Sequence, residues 1–167
     1  MSDAIRERAR RLVNRTGTRD PFKLARLLGV EIMFRDDMTE QKGAFFVVLE
    51  QAFIIINSNL DEQMQRLVCA HELGHAVLHK AQAARGALCE FDLFAMATGM
   101  EYEANVFASE VLIDTRELKE YLREGQDVYA CASALDTSVN LILVKLADFV
   151  PVEKLPFEPE RGFMGNI

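Results

Sequence analysis

The sequence predicts an α+β fold in which a small antiparallel three-stranded sheet packs on a mainly helical body. Short runs rich in aromatic and β-branched residues lie close together in the first third of the chain, and segments with helical periodicity precede and follow them. The 167 residues can bury one sizeable core and contain no obvious linker between two. We therefore predict one domain over residues 1–150 and an irregular tail over residues 151–167.

The first part of the chain predicts two helices and three strands. An arginine-rich amphipathic helix opens the chain, and Asp20 with Pro21 then begins a short helix that Gly29 ends. Three β-like runs follow, of which the last two are joined by a short turn, so an antiparallel meander is expected. These runs cover residues 30–34, 44–49 and 52–56.

The rest of the chain predicts helices. Asn59 lies three residues before Glu62, a spacing typical of a capping box, and this predicts a long helix over residues 60–80. After a break near Gly86, a second long helix is expected over residues 99–113. Three shorter helices are expected over residues 114–123, 127–135 and 138–149, and Asp136, Thr137 and Ser138 supply capping side chains for the last.

Composition narrows the classes of function. The net charge of −7 argues against a dedicated nucleic-acid surface, since phosphate binding needs clustered Lys and Arg. The start lacks the pattern of a signal peptide, and no apolar run reaches membrane-spanning length. Cys69, Cys89 and Cys131 form no CxxC pair, which fits reduced thiols. We expect a cytoplasmic protein without direct nucleic-acid or membrane contacts, and leave its oligomeric state open.

The segment His71-Glu72-Leu73-Gly74-His75 carries the strongest functional signal. Residues four apart on a helix share a face, so His71 and His75 can direct both imidazoles at one ion, while Glu72 falls beside it. Apolar residues surround the motif and indicate a buried helix. Burying these polar groups is costly unless a partner satisfies them, and a divalent cation satisfies all three. The alternative is a pair of hydrogen-bonded core histidines.

Two other residues of this helix need an explanation. His79 lies eight residues after His71, about 12 Å along a straight helix, so both cannot hold one ion. We expect His79 to be a surface residue at the helix end, with a contact in a substrate cleft as the alternative. Gly74 costs about 1 kcal/mol against Ala inside a helix, which predicts a neighbouring element or a substrate close to it.

A catalytic zinc ion usually takes three protein ligands, so a third donor is required. The second long helix offers Glu101, Glu103 and Glu110. We favour Glu103, because it lies next to the apolar stripe that must pack against the helix of His71. Glu101 is the alternative, with Asn105 one turn later as a possible outer partner.

With these residues assembled, the chain resembles the ImmA/IrrE family of metallopeptidases. The resemblance rests on AHELGHAVLH at residues 70–79 and EYEANVFASEVLI at residues 101–113, and it extends over roughly residues 1–150. It implies a zincin-like α+β metallopeptidase domain that binds one Zn²⁺ ion. The implied ligands are His71, His75 and Glu103, with Glu72 as the catalytic carboxylate. The family often has a proline at the end of its second motif, which is absent here.

The resemblance also implies a substrate, because family members are associated with cleaving helix-turn-helix repressors in mobile elements or stress responses. The leading hypothesis is a zinc endopeptidase in which Glu72 is the general base. An extended substrate would pair with an edge strand, either residues 44–49 or residues 52–56. The rival hypothesis is a non-catalytic zinc-containing regulator that sequesters a repressor, and a zinc hydrolase of non-peptide substrates is a third.

Overall fold

Two short helices lead into the sheet. The computed structural model describes residues 2–84, 93–147 and 149. Helix α1 covers Ser2–Thr16 and α2 covers Pro21–Leu27. The Asp20 carboxylate accepts hydrogen bonds from the Phe22 and Lys23 amides, so the predicted cap is confirmed. The predicted break near Gly86, the thiol of Cys89 and the predicted tail over residues 151–167 lie outside the described residues.

The sheet differs from the predicted meander. Its strands are β1 (Val30–Arg35), β2 (Gly43–Val48) and β3 (Gln51–Asn57), in the order β1-β3-β2. Strands β2 and β3 form the expected antiparallel hairpin, but β1 runs parallel to β3. The prediction of a wholly antiparallel sheet is therefore wrong, and the sheet is mixed. The alternation of side chains along a strand specifies its buried face and not the direction of its neighbour.

The connection between β1 and β2 explains this topology. Residues 36–42 cross the end of the sheet, so that β1 and β2 are separated by the width of one strand, and β3 lies between them. The buried Asn57 holds the connection in place, because its side-chain amide donates hydrogen bonds to the carbonyls of Met38 at 3.0 Å and Gln41 at 3.2 Å. The backbone amide of Asn57 also donates to the carbonyl of Lys42 at 2.9 Å, so the end of β3 holds the connection through several hydrogen bonds.

The motif-bearing helix begins later than predicted. Helix α3 covers Glu62–Leu78, and its cap is Asp61, whose carboxylate accepts from the Met64 amide at 2.7 Å. The capping-box prediction at Asn59 is wrong, because the side chain of Asn59 donates instead to the carbonyl of Asp36. Aspartate and asparagine are about equally favoured as caps, so residue type alone does not distinguish Asp61 from Asn59.

Helix α4 (Lys80–Ala84) follows α3 directly, and the second long helix, α5, covers Leu93–Leu112. Three shorter helices complete the described chain at the predicted places, namely α6 (Thr115–Arg123), α7 (Val128–Ala134) and α8 (Val139–Leu146). Helix α5 packs against α1, α3 and α8, so it lies at the centre of the core. No single helix among the described residues is long and apolar enough to cross a membrane; α7 and α8 together reach that length and apolarity, but as a pair bent by 111°.

Glu110 of α5 connects three helices through buried ion pairs. Its carboxylate lies 2.6 Å from Nζ of Lys145 on α8, and 3.1 Å and 3.0 Å from the guanidinium groups of Arg6 and Arg10 on α1. Glu110 is only 2% exposed. Its carboxylate is therefore occupied by structural ion pairs, so Glu110 is no longer a candidate for a metal ligand on this helix.

Helices α3 and α5 cross at Gly74. A Cβ atom added to Gly74 would lie 2.9 Å from both Cα and the carbonyl oxygen of Ala104. Ordinary carbon contacts are about 3.5–4.0 Å, so only glycine allows this approach. The prediction that a neighbouring element lies close to Gly74 is confirmed. The close crossing brings the side chains of α5 within reach of the histidines of α3.

Candidate metal centre

The two motif histidines point into the same space. His71 and His75 lie one turn apart on α3, and their Nε2 atoms are 3.2 Å apart. Both rings are mostly buried, with 15% and 13% of their side-chain surface exposed. The helical spacing of the motif is sufficient to explain this convergence.

Glu101 of α5 completes the group. Its Oε2 lies 3.0 Å from Nε2 of His71, and its Oε1 lies 3.2 Å from Nε2 of His75. Within the described part of the chain, these three residues form the group of potential ligands whose donor atoms lie close enough to share a metal ion.

The donor set also fits zinc in its spacing. Zinc bonds of about 2.0–2.2 Å in a tetrahedral arrangement separate neighbouring ligand atoms by about 3.3–3.5 Å. The observed separations of 3.0–3.2 Å are within a few tenths of an ångström of that value. Two imidazoles and one carboxylate are also a ligand set that zinc uses in catalytic sites, with one position left open.

Glu103, which the sequence favoured, lies elsewhere. Its Oε2 is 2.9 Å from Nε2 of His79, and it is absent from the group formed with His71 and His75. The apolar stripe of α5 correctly indicated that Glu103 faces α3. The stripe could not indicate which turn of α3 lies opposite Glu103. The crossing of the two helices at Gly74 sets this register, and it places Glu101 next to His71 and His75.

His79 is also not where we expected it. It is 5% exposed rather than a surface residue, and it caps the C-terminal end of α3. Its Nδ1 atom lies 3.1 Å from Nδ1 of His75. The signal that could have located it is its spacing of four residues from His75, which places both rings on one helix face.

Asn105 holds the other histidine. Its Oδ1 lies 2.7 Å from Nδ1 of His71, so the His71 ring can donate there, which would leave the lone pair of Nε2 for a bound metal ion. Asn105 lies one turn after Glu101 on α5, and its contact with His71 agrees with the expected role of an outer partner at the site.

Glu72 lies beside this group, where α3 meets strand β2. A Cβ atom added to Gly43, the first residue of β2, would lie 3.3 Å from Cγ of Glu72. Burial raises the pKa of Glu72, while the rings of His71 and His75 oppose that rise. A buried carboxylate with a raised pKa accepts a proton more readily than an exposed one does.

Electrostatics couple the three candidate ligands. Burial alone would raise the pKa of Glu101, but hydrogen bonds from His71 and His75 outweigh it and hold the pKa well below its ordinary range. Burial alone would lower the pKa of His71, and the contacts with Glu101 and the charge of Glu72 reverse this shift. The site therefore favours an ionised Glu101, the form that binds metal.

The sequence of this chain is similar to those of known proteins. Residues 25–147 match the peptidase M78 family, described as the IrrE N-terminal-like domain. The uncharacterized immunity region protein 2 of Bacillus phage phi105 is 32% identical over 117 residues, which span 70% of this chain and 73% of that protein. Metallopeptidase ImmA of Bacillus subtilis (strain 168) is 28% identical over 127 residues, which span 72% of this chain and 70% of that protein. The chain therefore belongs to the ImmA/IrrE family, and its function is of the metallopeptidase type.

Proposed function

We propose that this protein is a zinc-dependent endopeptidase that holds one Zn²⁺ ion with His71, His75 and Glu101. The observation that carries the proposal is the convergence of the three side chains: the two Nε2 atoms lie 3.2 Å apart, and each lies 3.0–3.2 Å from one carboxylate oxygen of Glu101. Glu101 thereby replaces Glu103 as the third ligand. The preference for zinc rests on the ligand set and its spacing, together with the metallopeptidase family.

Glu72 is the proposed general base. A zinc ion held by these residues would supply Lewis-acid activation of a water molecule and of the carbonyl of a peptide bond. Glu72 takes a proton from that water and passes it to the departing amine. Its buried position next to His71 and His75 supports this role, because burial brings the pKa of the carboxyl closer to the working pH.

The substrate is proposed to bind as an extended strand along β2. Of the two strands considered from sequence, β3 is central and pairs with a neighbour on each side, so it offers no edge. Strand β2 is at the edge, and its Gly43 end lies against Glu72. A substrate that pairs with β2 through main-chain hydrogen bonds would therefore pass close to the proposed base.

A helix-turn-helix transcriptional repressor is the proposed substrate, cleaved in the cytoplasm. The relatives' names support a regulatory role, since one is an immunity region protein of a phage and the other is a metallopeptidase. Direct DNA binding by this chain is not part of the proposal. Residues 141–146 of α8 are buried in the core and are not available to contact DNA, and the chain is acidic overall.

The test compares Glu72→Gln with the wild type and with Glu62→Gln, a control at an exposed position in the first turn of α3. Each purified protein is loaded with zinc and incubated with a helix-turn-helix repressor encoded next to its gene. We expect wild type and Glu62→Gln to cleave the repressor. Glu72→Gln should bind zinc equally well and lose cleavage by at least about 10²-fold, the scale of general-base catalysis.

Two results would refute parts of this proposal. Cleavage by Glu72→Gln at the wild-type rate would remove Glu72 from the role of base. Relief of repression in cells by Glu72→Gln, without any cleaved repressor, would favour the sequestering regulator over the peptidase.

A further inference from the structure

His79 makes polar contacts through both ring nitrogens, although the proposed mechanism does not use it. Its Nδ1 lies 3.1 Å from Nδ1 of His75, and its Nε2 lies 2.9 Å from Oε2 of Glu103. The side chain is only 6% exposed, so these contacts are shielded from water. A row of polar groups therefore runs from Glu103 through His79 to a proposed metal ligand.

The positions of the hydrogens along this row follow from the chemistry of imidazole. His75 can ligate a metal through Nε2 only if that atom keeps its lone pair, so Nδ1 of His75 must carry the hydrogen. Nδ1 of His79 must then accept, which leaves the hydrogen of His79 on Nε2. That hydrogen points at Oε2 of Glu103, which accepts it. Each contact thus has one donor and one acceptor.

We propose that His79 and Glu103 are positioning residues that hold His75 in the orientation and tautomer required for metal binding. This inference rests on the proposed metal site. The other ligand of α3 is held in a comparable way, since Nδ1 of His71 donates to Asn105 at 2.7 Å. Both histidine ligands therefore have their non-ligating nitrogen fixed, one by an amide and the other by a histidine backed by a carboxylate.

This arrangement also explains why α5 presents two glutamates to α3. Glu101 contacts the proposed ligand His71 directly. Glu103 contacts His79, at the end of α3, and acts on the site only through it. Side-chain exposure agrees with this division, because Glu103 is 23% exposed and His79 only 6%. A carboxylate that accepts from His79 prevents the ring from flipping to the tautomer that would donate to His75.

The first experiment measures the zinc dissociation constant by competition with a chelator for His79→Leu, His79→Asn and Leu78→Ala. Leucine cannot accept a hydrogen bond from His75, whereas asparagine keeps an acceptor near the position of Nδ1. Leu78→Ala is the matched control, since it trims an apolar neighbour at the same helix end. We expect a loss of about 10–100-fold in zinc affinity for His79→Leu, recovery of most of it in His79→Asn, and no change in Leu78→Ala.

The second experiment is a double-mutant cycle between His79 and Glu103. Glu103→Leu should weaken zinc binding in the wild-type background and have no further effect in His79→Leu, because Glu103 acts through His79. Glu103→Gln should retain affinity, since its amide oxygen still accepts. In cobalt-loaded protein, His79→Leu should shift the visible absorption bands, which report ligand geometry, and Leu78→Ala should leave them unchanged.

The outcomes separate this inference from the proposed function. Retention of zinc by His75→Ala would overturn the metal site itself. If His75→Ala loses zinc while His79→Leu binds it as the wild type does, only the positioning role is overturned. Equal losses in His79→Leu and Leu78→Ala would likewise overturn it, because they would show a general effect of instability.

Discussion

The close crossing of α3 and α5 makes Gly74→Ala the sharpest test of how the fold positions the site. The added methyl group would lie 2.9 Å from Cα and the carbonyl oxygen of Ala104, and 3.2 Å from its Cβ. Two of these atoms belong to the backbone, so no side chain can rotate away. Restoring an ordinary contact of about 3.5 Å requires the helices to separate by about 0.6 Å.

Two opposing terms set the expected change in stability. Alanine is favoured over glycine inside a helix by about 1 kcal/mol. Overpacking of a core costs about 1–3 kcal/mol, and the upper end applies where backbone must move. We therefore expect Gly74→Ala to lower the free energy of unfolding by about 2 kcal/mol. For a chain of this size, that corresponds to a decrease in Tm of about 4–8 °C.

The same displacement should weaken metal binding, because it carries Glu101 away from His71 and His75. The assay is thermal unfolding of the apo protein together with zinc affinity by chelator competition. Gly99→Ala is the matched control, since Gly99 lies on α5 with no neighbouring atom within 4 Å of an added Cβ. It should raise stability by about 0.4–1 kcal/mol and leave zinc affinity unchanged. A Gly74→Ala protein as stable as the wild type, with equal zinc affinity, would refute the close crossing.

Two further predictions concern Gly43 and Glu110. The methyl group of Gly43→Ala would clash with Cγ1 of Val68 and lie 3.1 Å from the carbonyl oxygen of Ile55 and 3.3 Å from Cγ of Glu72. The side chains of Val68 and Glu72 must then shift, so we expect kcat/KM to fall by about 10–100-fold without loss of zinc, and an unchanged kcat/KM would contradict the displacement of Glu72. Burial alone would raise the pKa of Glu110, but Lys145 and Arg10 outweigh it and lower the pKa below 4.5. The stabilisation from ionised Glu110 is therefore full above pH 4.5 and lost as the pH falls further. Glu110→Gln should cost about 3–5 kcal/mol near neutral pH, and this deficit should shrink in acid when unfolding is measured against pH; a constant deficit would contradict the shift.

Local signals in the sequence predicted most of the elements correctly. Asp20, Asp114, Asp127 and Ser138 each cap a helix at the position where the sequence places a helix start. Capping is a contact within three residues, so it can be read from adjacent positions. The convergence of His71 and His75 was predictable for the same reason, because one helix turn sets it.

Long-range register was not predictable in this way. The parallel pairing of β1 with β3 depends on a loop held by Asn57, and no pattern within β1 encodes it. The choice between Glu101 and Glu103 depends on where α3 and α5 cross. Gly74 predicted that a neighbouring element lies close to α3, but only the folded chain shows that this element is α5 at Ala104. A small residue on each helix identifies a crossing only once the two helices are paired.

The most direct test of the proposed metal centre is the zinc content of wild type, Glu101→Gln and Glu103→Gln after dialysis against a weak chelator. Glutamine removes the ligating charge at either position, and at residue 103 it keeps the acceptor for His79. We predict about one zinc ion per chain in the wild type and in Glu103→Gln, and little zinc in Glu101→Gln. Full zinc content in Glu101→Gln, with loss in Glu103→Gln, would contradict the assignment of the third ligand.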